Sequence, residues 1–387
     1  MGSLNLVLAS TEDYRRKAEK KLPRFLFDYL DGGSYQERTL AANCADFEAL
    51  QFKQRVLYDV SKVSSATTLF GDDLAMPAAM APIGMAGMMA QRGELQAKRA
   101  ADALGIPFTL STVSICSLEE VAKVSDKPFW FQLYMLKDRG AVVDMLQRAR
   151  AVNVDTLIFT VDLAVLGARY RDVRNGMSGG LNRWAQFRST TLSFMGHPSW
   201  AWHVGIKGKP HTFGNLKAYV PDASTPTDFQ AWIAEQVDPS VTWKDIEWLR
   251  HQWDGNLIIK GVLSPEDAVA AVNAGADGIS VSNHGGRQLD SVSSAIAMLP
   301  RVVDAVGDRC EVLLDSGVRS GADVLKARAL GAKAVLIGRP WVYAAAAGGE
   351  AGITSLLNTF KSELQVAMAL TGVTHTDQVD ARILDRR

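Results

Sequence analysis

Short apolar runs alternate with helix-patterned stretches along most of this chain. From residue 78 onward the apolar runs fall at 78–81, 108–110, 129–133, 156–161, 257–259, 278–281, 312–314 and 334–337. They are too short for helices and bounded by turn residues, which predicts strands. The stretches 93–104, 141–151, 265–274 and 321–330 between them carry helical patterns. Strands alternating with helices imply parallel β-α units, and eight such units close a TIM (β/α)8 barrel, an α/β fold.

Residues 1–77 predict a helical extension. Ser10 with Asp13 opens a charged, solvated helix that ends near Leu22-Pro23. A second helix over 24–30 carries Tyr29 and stops at Asp31-Gly32-Gly33, and a third falls between 36 and 50. Short β segments are expected around 55–58 and 67–70. The connection from Asp162 to Lys260 far exceeds an ordinary loop and reads as an insertion after strand four, at about 173–240. The reading is thus one domain over 1–387, with 1–77 as N-terminal helices and lid and 78–387 as the barrel.

Polar residues recur at one end of nearly every expected strand: Ser111, Gln132, Tyr134, Thr160, Asp162, Lys260, Ser282, His284, Asp315, Arg319 and Arg339. In a barrel those ends form one rim, where active sites of this architecture lie. The densest stretch is Ser282-Asn-His284-Gly-Gly-Arg287-Gln-Leu-Asp290, where a base and an anion holder meet at a strand end beside two glycines. Alone, it would equally suit a His and an Arg that bond the local backbone.

Composition narrows the class. With 47% hydrophobic and 22% charged residues the chain is ordinary for a soluble globular protein, and 42 acidic residues offset 42 basic ones, so no global field draws in nucleic acid. Cys44, Cys116 and Cys310 form no Cys-x-x-Cys pair, which argues against a disulfide framework or structural zinc and suits the reducing cytoplasm. No metal site is expected. The N-terminus predicts neither signal peptide nor membrane span, so membrane contact would be peripheral. Between residues 173 and 217 there are six Lys or Arg and no Asp or Glu, and seven of nine tryptophans lie between Trp184 and Trp253. Aromatic and basic side chains together suit a membrane interface; the other reading is a packed loop with a small core of its own.

The motifs that are missing matter too. There is no Walker A sequence, no His-Glu-x-x-His and no Gly-x-Gly-x-x-Gly opening a helix. Gly176-Met-Ser178-Gly-Gly180 matches Gly-x-Ser-x-Gly but follows a charged stretch instead of a buried strand, so it reads as a mobile loop. Asp315-Ser-Gly317-Val-Arg319-Ser-Gly321 and Gly338-Arg339-Pro supply glycines, backbone N–H groups and two guanidiniums after strands seven and eight, where barrels commonly hold phosphate. Lys260 adds a cation nearer the barrel centre. A non-redox sugar-phosphate barrel with Lys260 as a Schiff-base amine would use the same parts.

The Ser282–Asp290 stretch resembles the active-site signature of the FMN-dependent L-2-hydroxy acid oxidases and dehydrogenases. The similarity runs through Leu22-Pro23, Phe131-Gln-Leu-Tyr134, Thr160-Val-Asp162, Ile259-Lys-Gly261 and Asp315-Ser-Gly317-Val-Arg319. Gly167-Ala-Arg169-Tyr-Arg171-Asp172, the Gly-Met-Ser-Gly segment and Trp200-Ala-Trp202 look most like its respiratory L-lactate dehydrogenase branch. No haem-binding domain precedes the barrel in these residues, which points away from the flavocytochrome branch.

The resemblance implies FMN as cofactor, a small 2-hydroxy acid as substrate, quinone as acceptor, a homotetramer, and a peripheral position on the cytoplasmic face of the cell membrane. It implies His284 as base with Asp162 orienting it, Tyr134 at the substrate oxygen, and Tyr29, Arg169 and Arg287 on the substrate carboxylate. Ser111, Gln132, Thr160 and Lys260 would contact the flavin ring, Ser282, Asp315 and Gly317 would line the cofactor site, and Arg319, Gly338 and Arg339 would hold the phosphate. Leu163-Ala-Val-Leu166 and Ile83 depart from the family pattern and bear on the side-chain pocket, where mandelate or glycolate compete with lactate. An oxidase that yields hydrogen peroxide is the alternative within the family.

Overall fold

The computed structural model describes residues 7–177, 195–220, 232 and 235–385. Ser10 caps α1 (Thr11–Lys21): its hydroxyl accepts from the Asp13 amide at 3.3 Å while the Asp13 carboxylate accepts from the Ser10 amide at 3.0 Å. α2 (Arg24–Asp31) and α3 (Arg38–Ala49) follow, as the sequence pattern predicts. β1 (Thr67–Leu69) and β2 (Asp72–Leu74) form an antiparallel hairpin. Residues 55–58 are not a strand. Val56 and Leu57 point into solvent, Leu57 has φ 61°, and the Arg55 amide bonds the Leu370 carbonyl at 2.9 Å instead of a neighbouring strand.

The eight barrel strands are β3 (Ala78–Met80), β4 (Thr109–Ser111), β5 (Phe129–Leu133), β6 (Val154–Thr160), β7 (Asn256–Val262), β8 (Gly278–Val281), β9 (Glu311–Asp315) and β10 (Ala334–Ile337). They pair in parallel in the order β3-β10-β9-β8-β7-β6-β5-β4, and a bridge between Met80 and Phe108 brings the two edges together. The intervening helices include Gly93–Leu104, Arg139–Ala151, Pro265–Asn273 and Gly321–Ala329. The last three start at side-chain caps from Asp138, Ser264 and Ser320.

Two cores result. A large one lies between strands and helices. A small one fills the barrel with Ala79, Trp130, Ile158, Ile258, Leu313 and Leu336, and Leu69 and Leu74 of the β1-β2 hairpin close its lower end. Phe70 meets Trp130 edge to face at 6.3 Å. The apolar plug leaves only the opposite end open to a ligand.

In the insertion, a helix at Tyr170–Arg174 is followed by Pro198–Trp200, a π-helical turn at Ala201–Ile206, a short 3-10 turn at Lys217–Tyr219, and a helix at Trp243–Gln252. Trp200, Phe213, Leu216 and Trp253 are buried, whereas Met195, Trp202 and Ile206 are more than half exposed. Some aromatics of this stretch thus build a core, as the packed-loop expectation has it, while Trp202 faces outward. Trp184, Phe187, Phe194 and the Ser178-Gly-Gly180 part of the Gly-x-Ser-x-Gly match lie outside the described residues.

Candidate active site

Side chains two apart on a strand share a face. Trp130 and Gln132, Ile158 and Thr160, Ile258 and Lys260, and Leu313 and Asp315 are such pairs, so the apolar layer that fills the barrel is followed, one step toward the open end, by a polar layer. Its members are buried, and all but the Thr160 hydroxyl bond a neighbouring side chain. Ser111 Oγ donates to Gln132 Oε1 at 3.1 Å; Lys260 Nζ lies 2.8 Å from Asp315 Oδ2 and 3.1 Å from Ser282 Oγ, and Ser282 Oγ donates to the same Asp315 oxygen at 2.6 Å. Burial acts against the charge on both Lys260 and Asp315, but their attraction wins: the lysine pKa is raised and the aspartate pKa lowered. Lys260 is a fixed cation. Gln132 Nε2 and Thr160 Oγ1 are buried with no partner, two polar atoms left to meet something in the barrel mouth.

Beyond β8 the chain turns sharply. His284 has φ 57°, Gly285 φ 65° and Gly286 φ 73°; a Cβ on Gly285 would sit 2.6 Å from Arg339 Nη1, and one on Gly286 2.6 Å from the Leu40 amide. The turn aims His284 inward, with its amide bonded to Ser282 Oγ at 3.0 Å and its Nδ1 2.8 Å from Asp162 Oδ1. With Asp162 ionised, Nδ1 carries the hydrogen and Nε2 is the free acceptor. Burial lowers the His284 pKa below 6.5 against the pull of Asp162, which keeps the ring neutral at neutral pH. Asp162 can come this close because residue 261 is glycine: a Cβ there would lie 2.6 Å from Asp162 Cγ.

Two guanidiniums flank Tyr29. Arg287 stacks over its ring at 4.8 Å and donates through Nη1 to the carbonyls of Tyr29 and Gly32, at 2.5 and 2.9 Å; Arg169 lies over the same ring at 5.9 Å. Burial, followed by repulsion from Arg287, brings the Arg169 pKa down to about 10. Neither lies within ion-pair distance of an acid among the described residues; the buried Asp172 carboxylate, which lines the same cavity, acts on both from farther away, and burial pushes its own pKa up. Tyr134 faces the same space, and burial followed by the Asp162 charge raises its pKa, so its hydroxyl keeps its proton.

These groups share a cavity of about 520 Å³. Tyr29, Tyr134, Thr160, Arg169, Lys260, His284 and Arg287 line one part, and Asp315, Gly317, Arg319, Gly338 and Arg339 the other. Ser111, Gln132, Ser282 and Asp162 stand in the supporting layer behind it. Arg339 donates to the carbonyls of Leu30, Gly285 and Gly32 at 3.0, 2.9 and 2.8 Å. A guanidinium has five N–H groups, so about two remain for an anion. A cavity lined by Arg319, Arg339 and a buried lysine, with two unpartnered donors at its base, fits a phosphate-bearing, ring-containing cofactor.

The fold and this donor set suit a flavin-type oxidoreductase barrel. The family model described as FMN-dependent dehydrogenase matches residues 18–386, and the chain belongs to that family. FMN is accordingly its cofactor. The chain is 54% identical to an L-lactate dehydrogenase of Caulobacter sp. (strain K31) over 379 residues, 98% of this chain and 99% of that one. It is 52% identical to an L-lactate dehydrogenase of Pseudomonas aeruginosa (strain LESB58) over 381 residues, with 98% and 99% covered. Among solved structures, a monotopic membrane protein, (S)-mandelate dehydrogenase, superposes with a TM-score of 0.92 at 35% identity, covering 98% of this chain and 100% of that one.

Sequence reasoning overlooked the supports. Asn43, in the middle of α3, exchanges two 2.8 Å hydrogen bonds with Asn283, and Asp290 caps α3 by accepting from the Thr39 and Gln36 amides at 2.8 and 3.1 Å. Asp31 binds Arg15, Arg171 and Tyr343 together. A polar Asn on the buried face of an amphipathic helix was the one available signal, but its partner is 240 residues away.

Proposed function

We propose that this enzyme oxidises L-lactate to pyruvate and passes the electrons to membrane quinone. The observation that carries the reading is an Asp162-held imidazole in one cavity with two guanidiniums that no carboxylate bonds among the described residues, an arrangement suited to gripping a carboxylate and removing a proton beside it. Arg169 and Arg287 bind the substrate carboxylate, which also offsets their mutual repulsion, and Tyr29 positions both. Tyr134 donates to the substrate hydroxyl or the carbonyl oxygen that forms from it. His284 Nε2 takes a proton from the α-carbon or its hydroxyl, and Asp162 stabilises the imidazolium. Ser111, Gln132, Thr160 and Lys260 hold the ring end of FMN, Ser282, Asp315 and Gly317 its middle, and Arg319, Gly338 and Arg339 its phosphate. Bound FMN supplies the two-electron acceptor.

Identity above 50% to L-lactate dehydrogenases along nearly the whole chain supports lactate over mandelate. An anaerobic titration tests it: the flavin absorbance should bleach with L-lactate at far lower concentration than with (S)-mandelate. A flavin left oxidised by L-lactate would refute the reading, and stoichiometric oxygen uptake during turnover would convert it into an oxidase.

The acceptor and the location belong to the same proposal. No helix among the described residues is long and apolar enough to cross a membrane. Met195, Trp202 and Ile206 are exposed, Lys207 lies over the Trp202 ring at 5.2 Å, and a relative with this fold is described as monotopic. We infer that the insertion rests on the cytoplasmic face of the membrane, against the bilayer that holds the quinone. The exposed apolar turn of Val56, Leu57 and Tyr58 suits burial between subunits of a homotetramer.

A further inference from the structure

The loop from Asp162 to Arg169 carries a histidine partner at one end and a guanidinium at the other, yet it has no regular structure. Its middle does not hold itself by packing, since Val165 and Leu166 are 71% and 58% exposed. One side chain bonds it. Gln288 is buried; its Nε2 donates to the carbonyls of Asp162 at 2.7 Å and Val165 at 2.9 Å, and its Oε1 accepts from the Gly167 amide at 3.3 Å. Among the described residues no other hydrogen bond reaches the backbone of 163–167. The contact is close, because a Cβ on Gly167 would lie 2.4 Å from the Arg287 carbonyl. Past it, Arg169 Nε approaches that same carbonyl at 3.5 Å.

We propose that Gln288 is a positioning residue that registers the Asp162–Arg169 loop against the His284–Arg287 turn, so that one amide sets both the base pair and the carboxylate grip. The chemistry demands an amide at this place. Two carbonyls need donors and one N–H needs an acceptor, and a primary amide supplies both kinds from one group. Glutamate would set an anion against two carbonyl oxygens, and methionine would fill the space while bonding none of them. The inference rests on the hydroxy acid reading above.

The test uses the FMN-loaded enzyme and Gln288→Met. If Gln288 registers the loop, the loosened Arg169 should raise KM for L-lactate and the Kd for pyruvate, read from the flavin spectrum, while the loosened Asp162 lowers kcat; the combined loss in kcat/KM should be about 10- to 100-fold, the scale of a misplacement near 1 Å. A role in stability alone would not move the pH profile. The charged groups facing His284 are Asp162, Lys260, Arg169 and Asp315; the two carboxylates favour the protonated ring, and of these Asp162 is the one bonded to it and the one on the Gln288-held loop. Weakening its contact lowers the histidine pKa, so the acid limb of kcat/KM should shift to lower pH. Wild-type KM, kcat and acid limb in Q288M would overturn the proposal, whatever its melting temperature. If Q288M does not fold, Gln288→Asn, whose amide stops one methylene short, takes its place: a partial loss with the same shift supports the proposal, and wild-type kinetics overturn it. Failure of the wild-type enzyme to be reduced by L-lactate would instead sink the underlying reading.

Discussion

His284 is held in a left-handed backbone conformation that costs a non-glycine residue energy, and the surrounding bonds from Ser282 and Asp162 maintain it. Removing the ring should therefore cost chemistry and leave cofactor binding intact. His284→Ala should retain FMN while flavin reduction by L-lactate slows by about 10² to 10⁴, the range for a positioned base; stopped-flow absorbance measures it, and near-normal reduction would remove His284 from the mechanism. Because burial depresses its pKa, the ring stays neutral down to pH below 6.5, and the acid limb of kcat/KM should fall below that value. Arg287→Lys keeps a charge but loses the planar edge that remains after Nη1 is committed to Tyr29 and Gly32. Both KM and turnover should worsen, and unchanged values in steady-state assays would place the carboxylate elsewhere.

At the scale of elements, the site depends on pieces that are distant in sequence. α2 supplies Tyr29 and ends on Asp31, whose carboxylate accepts from Arg15 of α1 at 2.6 Å, from Arg171 at 2.8 Å and from Tyr343 of the helix Arg339–Leu370 at 2.8 Å. Arg171 lies two residues from Arg169, so this hub docks the start of the insertion against α2. Burial disfavours the Asp31 charge, yet the bonds from Arg15 and Tyr343 hold its pKa well below the ordinary 3.8. A depressed carboxylate contributes stability above pH 3.8 that is lost as pH falls through its folded value. Asp31→Asn should thus destabilise the protein at pH 7 by about 2–3 kcal/mol, less than a fully buried pair because Arg15 and Arg171 are about one-third exposed. Urea unfolding at pH 7, 4 and 3 should show the difference almost unchanged at pH 4 and shrinking only below about 3.8.

For the whole molecule, the decisive feature is an asymmetry: an apolar plug closes one end of the barrel, and the insertion stands at the other. If that insertion lies on a bilayer, the enzyme should sediment with anionic vesicles at low ionic strength and be released by salt, each nearby cation adding about 1 kcal/mol. Trp202→Asp with Ile206→Asp should weaken sedimentation and quinone reduction while flavin reduction by L-lactate stays the same. Equal sedimentation of variant and parent would assign these side chains to another contact.

Much of this was present in the linear pattern. The eight apolar runs, their helical partners and the polar residues at nearly every strand end follow from period and spacing, because strand length and side-chain alternation are local properties. The same local logic misread residues 55–58, where β-prone side chains meet no neighbouring strand. Tertiary structure alone decided that Asn43 meets Asn283, that Asp290 caps a helix from the other end of the chain, and that Gln288 and Gly261 locate Asp162. Those pairings carry no periodic signal. They exist because closing the barrel brings together loops hundreds of residues apart, and buried polar groups there must find partners that only the closed form supplies.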